Sequence, residues 1–293
     1  MSLEVSNWRT LGRRETVTAG KSLQIVDFGS GPNLLLLHGF PTWSFDWAAT
    51  AKSLTSTTRV IAPDLLGYGF SDKPHRRSSI NQQADLILAL LGARKVVEIA
   101  LVAHDVGVIV AQELLRRSLS GETQLKFSSV TLLNAGIVFS QYRPTRAQKL
   151  LSTPIIGRLA ALRITRDSVR RGLGYVFGTR LPLTDEVFND IWVGLSHQDG
   201  HRLADRLLHY NAERNARHGE WEAALAAHTA PLALVWGLAD PVSGAHVLAA
   251  ARQAYPHARV TELADVGHFP QLEAPDDVAA AILENAHLGW TNR

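Results

Sequence analysis

The chain has 293 residues, 46% of them hydrophobic and 19% charged, with a formal net charge of +3 and a pI near 9.3. That is the composition of a globular protein with room for one large α/β domain and an insertion, or for two small domains. Cysteine is absent, which excludes disulfides, thiolate metal sites and a cysteine nucleophile.

The basic residues are spread along the chain. Their densest cluster, His75-Arg76-Arg77, lacks interleaved aromatics and reads as a solvated loop, so no nucleic-acid partner is expected. The stretch from Met1 to Gly20 is polar, without the apolar segment of a secretory signal. No apolar run approaches the roughly 20 residues needed to span a bilayer. The expectation is a cytoplasmic protein with no membrane partner, as a monomer or homodimer.

Glu15 to Thr18 and Leu23 to Phe28 alternate and carry β-branched residues around Gly20, predicting an antiparallel hairpin. Leu34-Leu35-Leu36-Leu37, ending at His38-Gly39-Phe40-Pro41, suits a strand buried on both faces. Thr42 to Leu54 predicts a loop and helix, and Arg59 to Pro63 another strand. That strand runs into the Gly-punctuated loop Asp64 to Pro74. Ser79 to Leu91 has helical spacing. Val96 to Val102 is a strand, Val108 to Leu119 a helix and Phe127 to Leu133 a strand. This rhythm predicts βαβ units and a mostly parallel sheet of about eight strands.

No strand pattern appears from about Ile137 to Ala230, a stretch too long for one loop. It reads as a helical cap inserted between two parts of an α/β core, residues 1–136 and 231–293, with the cap at 137–230. The strand pattern resumes at Pro231 to Trp236 and again at Arg259 to Leu263. Helices are predicted at Ser243 to Tyr255 and Asp276 to Asn285.

The chemistry centres on Ala103-His104-Asp105-Val106-Gly107, where a strand turns at once into a helix between small residues. That is the outline of a nucleophile elbow with aspartate at its centre. The plain alternative is that Asp105 only caps the helix. Two other post-strand positions bear on the choice, Asp240 and His268, giving the chain order nucleophile, acid, histidine of an α/β-hydrolase. A carboxylate is a poor nucleophile toward acyl carbon, because it leaves again from the anhydride. At a saturated carbon it displaces a leaving group and forms an alkyl ester. The reaction then narrows to epoxide opening or carbon–halogen displacement. His268 is the candidate base toward water, and Asp240 the group that fixes its tautomer. Asp265 ranks below Asp240, and Asn134, an amide, cannot serve as the acid. The Phe40 and Val106 amides are the candidate oxyanion hole. No cofactor or metal is expected. His38, Trp43, His104 and Trp192 are placed in the substrate pocket, with His38 also setting a turn and His104 also suited to packing.

On these motifs the chain resembles the epoxide hydrolase and haloalkane dehalogenase branch of the α/β-hydrolases: His38-Gly39-Phe40-Pro41, Asp64-x-x-Gly67-Tyr68-Gly69-x-Ser71-Asp72 and His104-Asp105-x-Gly107. A narrower resemblance, to the mesoderm-specific transcript subgroup and its bacterial relatives, rests on Phe70 to Pro74, Ala111 to Leu115, Val176-Phe177-Gly178 and Pro270-Gln271-Leu272-Glu273. The resemblance implies an α/β-hydrolase fold with a cap and a cofactor-free hydrolase acting on a small apolar epoxide and water. Dehalogenases of the branch usually carry Trp after the nucleophile and often Asn after the His-Gly pair as halide donors. Val106 and Phe40 stand there instead, which favours the epoxide. Epoxide hydrolases take ring-opening donors from the cap, usually two tyrosines. Tyr210 is the first choice here, with Tyr175, Tyr142 or His209 as the second and His197 a further substitute. A dehalogenase with unusual halide donors such as Trp192, and a non-catalytic small-molecule-binding relative, stay open as alternatives.

Overall fold

The computed structural model describes residues 5–18, 20–74 and 76–291 of the chain; His75 of the basic cluster lies outside the described residues. Eight strands form one sheet: β1 Gly12–Thr18, β2 Lys21–Gly29, β3 Asn33–Leu37, β4 Arg59–Pro63, β5 Glu98–His104, β6 Lys126–Leu133, β7 Leu232–Gly237 and β8 Arg259–Leu263. Their spatial order is β1-β2-β4-β3-β5-β6-β7-β8. β1 pairs with β2, and β2 with β4, antiparallel; every pairing from β4 to β8 is parallel.

The leucine and valine runs become central strands because alternate residues feed two separate cores. Leu35, Leu37, Leu101 and Ala103 pack on one face with Leu86, Ile87 and Leu90 of α3 (Ile80–Ala93) and Leu114 of α4 (Val106–Leu119). Leu34, Leu36, Ala100 and Val102 pack on the other with Ala51 and Leu54 of the helix Ala48–Leu54 and Val278 and Ile282 of the helix Pro275–Thr291. The predicted helix after Thr42 divides into a 3-10 turn, Ser44–Trp47, and Ala48–Leu54. A helix at Val5–Leu11 was not foreseen. It buries Trp8, whose indole N–H donates to Ser44 Oγ at 3.1 Å.

Between β6 and β7 the chain is helical: Arg146–Leu151, Ile156–Ala161, Arg166–Gly174, Asp185–Ser196, Ala204–Leu207 and α10, Tyr210–Ala227, joined by turns and short 3-10 segments. α10 is fastened to α4 through the buried Glu113. Its carboxylate accepts from the Trp221 indole at 2.8 Å and from Arg217 at 3.1 Å, both on α10, and from Arg116 and Arg117 on α4. Burial works against this carboxylate, but those donors outweigh it and hold its pKa to about 2. No helix among the described residues is long and apolar enough to cross a membrane.

Candidate active site

β5 ends at His104 and α4 begins at Val106, so Asp105 is the whole turn, at φ +46° and ψ −114°. Backbone in that region is costly for a residue with a Cβ. Asp105 occupies the N-cap position, yet its side chain makes no capping hydrogen bond. Its Oδ2 instead accepts from the Phe40 amide at 3.0 Å. The plain reading of Asp105 as a helix cap is therefore not what the side chain does. Gly107 lets α4 start this close to β3: a Cβ there would lie 2.6 Å from the Leu37 carbonyl oxygen and 2.7 Å from that of His38. Burial raises the Asp105 pKa, against the nearby charges of His268 and Arg214 and the amides of Phe40 and Val106.

His268 follows β8, and its Nδ1 lies 2.7 Å from Asp240 Oδ2. Asp240 also accepts from the Val242 amide (2.7 Å), the Ser243 hydroxyl (2.7 Å) and the Asn134 amide group (3.0 Å). Asn134 is itself locked to Gly237, donating to its carbonyl and accepting from its N–H. The residue set aside as unable to be the acid thus holds the acid. Burial raises the Asp240 pKa, but His268 and the surrounding donors outweigh it and keep it well below the usual carboxylate range. Burial pulls the His268 pKa down; the charges of Asp240 and Asp105 outweigh that and raise it to about 9.

The loop carrying His268 is pinned by Glu273, which accepts from the amides of Gly267, Phe269 and, on the cap side, Gly178. The His268 amide donates to the Val176 carbonyl at 2.8 Å. The Val176-Phe177-Gly178 and Pro270 to Glu273 motifs are therefore two sides of one joint between cap and core.

On the cap side, Tyr210 is the first residue of α10 and is buried, and its hydroxyl has no hydrogen-bond partner. The Tyr142 hydroxyl is also buried without a hydrogen bond of good geometry, although Arg214 and the Tyr210 hydroxyl lie close enough to pull its pKa down against burial. Both phenols lie within electrostatic reach of Asp105; burial first, and that carboxylate second for Tyr210, push their pKa values up. Arg214, one turn after Tyr210, is buried with its guanidinium 3.7 Å from the Tyr142 ring centre and 5.8 Å from that of Tyr210. Its Nη2 donates to Asn211 Oδ1 at 2.8 Å, and among the described residues it forms no ion pair with a carboxylate. Gly136 makes room for this group: a Cβ there would lie 2.7 Å from Arg214 Nη1 and 2.9 Å from Tyr142 Cδ2.

The other sequence candidates fall elsewhere. Tyr175 is 66% exposed, which removes it as a second donor. His209 is half-buried, its pKa lowered by burial and then by the charge of Arg77, and Asp105 is not among the charges that act on it. His197 packs on Phe70, ring centres 4.6 Å apart. A cavity of about 370 Å³ reaches from the cap helices down to Phe40, His268 and Phe269, within the usual range for small-molecule sites. Its wall is largely apolar, including Leu151, Ile164, Val169, Leu173, Val176 and Leu207.

His38, Trp43, His104 and Trp192, expected in the pocket, are not part of that wall, and Asp105, Tyr142 and Tyr210 lie behind it, not in it. His38 is buried, its Nδ1 2.9 Å from the Gly39 carbonyl and its Nε2 accepting from the Leu65 amide. His104 is buried between the His268 carbonyl (2.7 Å) and the Gln271 side chain (3.1 Å). Burial lowers the pKa of both histidines, so they are neutral struts. The Trp43 indole donates to the Asp190 carbonyl, tying a cap helix to the core. Trp192 packs against Phe188 and His201. Sequence reading missed Arg214 and Glu273. The available signal for Arg214 was its spacing of four from Tyr210, which puts both on one helix face.

A family model described as the alpha/beta hydrolase family matches residues 34–281. The chain is 36% identical over 283 residues to the putative hydrolase LipZ of Mycobacterium tuberculosis, covering 96% of this chain and 98% of LipZ. It is 38% identical over 276 residues to the mesoderm-specific transcript homolog protein of Homo sapiens, covering 90% of this chain and 80% of that protein. Among solved structures, haloalkane dehalogenase DbeA from Bradyrhizobium elkani superposes with a TM-score of 0.78 at 24% identity, over 94% of this chain and 98% of DbeA, a likeness of fold.

Proposed function

We propose, from the premise that this chain belongs to the alpha/beta hydrolase family, that it is an epoxide hydrolase working through an alkyl ester on Asp105. The observation that carries this reading is the pair of buried, partnerless phenol hydroxyls, Tyr142 and Tyr210, in electrostatic reach of a buried elbow carboxylate. Buried donors without acceptors are costly, and a ring oxygen between them removes that cost.

The Asp105 oxygen not held by the Phe40 amide attacks an epoxide carbon. The carbon–oxygen bond breaks, and the developing alkoxide takes a proton from one phenol while the other donates a hydrogen bond. Arg214, stacked on Tyr142, stabilises the phenolate left behind. Esterification removes the Asp105 charge, one of the two that raise the His268 pKa, so His268 releases its resting proton to solvent, from which it is regained at the end of the cycle, and becomes able to take a proton from water. The resulting hydroxide attacks the ester carbonyl, whose oxyanion forms at the Phe40 and Val106 amides. On collapse the departing alkoxide takes the proton from His268. The regenerated Asp105 acid returns its proton to the phenolate, and a vicinal diol leaves.

Two observations disfavour a halide as leaving group. The residues after the nucleophile and after the His-Gly pair, Val106 and Phe40, carry no side-chain donor for a halide. The Trp43 indole is already committed to Asp190. The test is a panel of apolar mono- and disubstituted epoxides beside matched bromoalkanes. Diol formation without bromide release is the expected result. Bromide release without diol would overturn the reading in favour of a dehalogenase. Tight binding of an epoxide without turnover would overturn it in favour of a non-catalytic binder.

A further inference from the structure

The cap carries a strongly asymmetric surface. Between positions 143 and 171 the sequence has eight basic residues, Arg143, Arg146, Lys149, Arg158, Arg163, Arg166, Arg170 and Arg171, against one acidic residue, Asp167. This net charge of +7 sits in a chain whose total is +3, so the remaining 264 residues carry −4. Arg158 and Arg170 are paired with Asp205 and Asp185. Arg143, Arg146, Lys149, Arg163 and Arg171 are exposed and have no carboxylate partner among the described residues.

The same segment holds half of the protein's exposed apolar bulk. Of the ten large hydrophobic side chains exposed among the described residues, five are Leu150, Ile155, Ile156, Leu159 and Leu162, between 45% and 79% exposed. They lie on, between and directly after the short helices Arg146–Leu151 and Ile156–Ala161, Leu162 being the C-cap of the second. Single exposed leucines need no explanation, but this many side by side among unpaired cations do.

The segment is also the mouth of the active-site cavity. Every exposed residue of the cavity wall (Ala147, Leu150, Arg163, Ser168 and Gly172) lies in or at the edge of it, while the deep end is buried Phe269 and His268.

We propose that residues 143–171 dock the protein on an anionic lipid surface, with Leu150, Ile155, Ile156, Leu159 and Leu162 entering the headgroup layer and the unpaired cations meeting lipid phosphates. This commits to a bilayer and not to a second copy of the chain, because two copies facing through this patch would oppose +5 to +5 even after Asp205 and Asp185 are set against Arg158 and Arg170. Interfacial binding combines buried apolar area with attraction to anionic lipid. Docked this way, the cavity mouth faces the bilayer, and an apolar substrate passes from lipid to His268 without crossing water. The sequence expectation of no membrane partner rested on the lack of a spanning segment, which interfacial docking does not need. The proposal does not depend on which reaction Asp105 performs.

The test is flotation of the full chain with vesicles of phosphatidylcholine alone and of phosphatidylcholine mixed with phosphatidylglycerol, at low and high salt. The expected result is flotation with the anionic vesicles only, weakened by salt. Arg146→Gln/Lys149→Gln/Arg171→Gln should weaken binding by roughly fivefold per charge, about a hundredfold in all. Ile155→Ser/Leu159→Ser should abolish salt-resistant binding. All five side chains lie outside the cavity wall, so thermal unfolding and any turnover of a water-soluble substrate should be unchanged. Failure of the wild type to float with anionic vesicles, or equal binding to neutral ones, overturns the proposal. So does a dimer in light scattering that Ile155→Ser/Leu159→Ser dissociates, which would assign the patch to a second copy.

Discussion

Asp240, on the core side of the site, accepts three hydrogen bonds besides its contact with His268, whereas Tyr142 and Tyr210, on the cap side, end in buried hydroxyls with no partner. The acid of the core half is saturated. Asn134 holds Asp240, Asp240 holds His268, and Glu273 holds the loop that carries it. Nothing in that half has to move when a substrate arrives, which is what preorganised electrostatic catalysis needs. The cap half is left open on its polar atoms, with an arginine in place of a third hydrogen-bonding partner. Donors in that state are complementary to a group that the substrate brings and that gains charge in the transition state. The difference assigns attack and hydrolysis to the core, and leaving-group stabilisation to the cap.

Substitutions in the two halves should then separate. Asp105→Ala removes the nucleophile and should lower kcat for diol formation by roughly 10⁴-fold or more; retention of a few per cent of activity would contradict a covalent role. His268→Gln should leave the first step intact. One equivalent of substrate is consumed in a burst, and intact-mass measurement should show the chain heavier by one substrate, with steady-state turnover down roughly a thousandfold. If no adduct accumulates, His268 does not act in the second step. On the cap side, Tyr210→Phe and Tyr142→Phe should each lower the single-turnover alkylation rate by roughly 10- to 100-fold while sparing dealkylation, each phenol being one of two donors to the same oxygen. Equal losses in both steps would erase the division between the halves. Tyr175→Phe, at an exposed position, should change neither step.

The core half also predicts a pH signature in stability. The His268 pKa is raised from 6.5 to about 9 in the folded protein. A group raised on folding contributes fully below its unfolded pKa and loses that contribution as pH rises through its folded value. The thermal midpoint should therefore fall more steeply between about pH 7 and pH 9 in the wild type than in His268→Gln. Parallel curves would remove the His268–Asp240 ion pair from the account.

The core half was largely legible in the sequence, for a physical reason. Strands buried on both faces are written as continuous apolar runs, such as Leu34 to Leu37 and Val96 to Val102, and catalytic groups follow them at the strand ends. The elbow geometry also demands small neighbours, so Ala103 and Gly107 announce Asp105. What the sequence did not reveal are partnerships across long separations. Asn134 reaches Asp240 over 106 residues and Glu273 reaches Gly178 over 95. The cap was legible only in outline, because its short helices carry no strand rhythm to fix their order in space. Arg214 reads as one more cation on a solvated helix face until Gly136 and Tyr142 are seen beside it. Trp43 and Trp192 look like pocket walls by residue type, yet the Trp43 indole ties cap to core and Trp192 packs on Phe188 and His201 within the cap.

The most direct test of the central claim is a single turnover in heavy-oxygen water with excess enzyme, followed by mass analysis of the peptide bearing Asp105. Attack by water on the ester carbonyl predicts the label in the Asp105 carboxylate, with the diol unlabelled in that turnover. Label in the diol and an unlabelled Asp105 would show that water attacks the substrate directly, and would contradict the role given to Asp105.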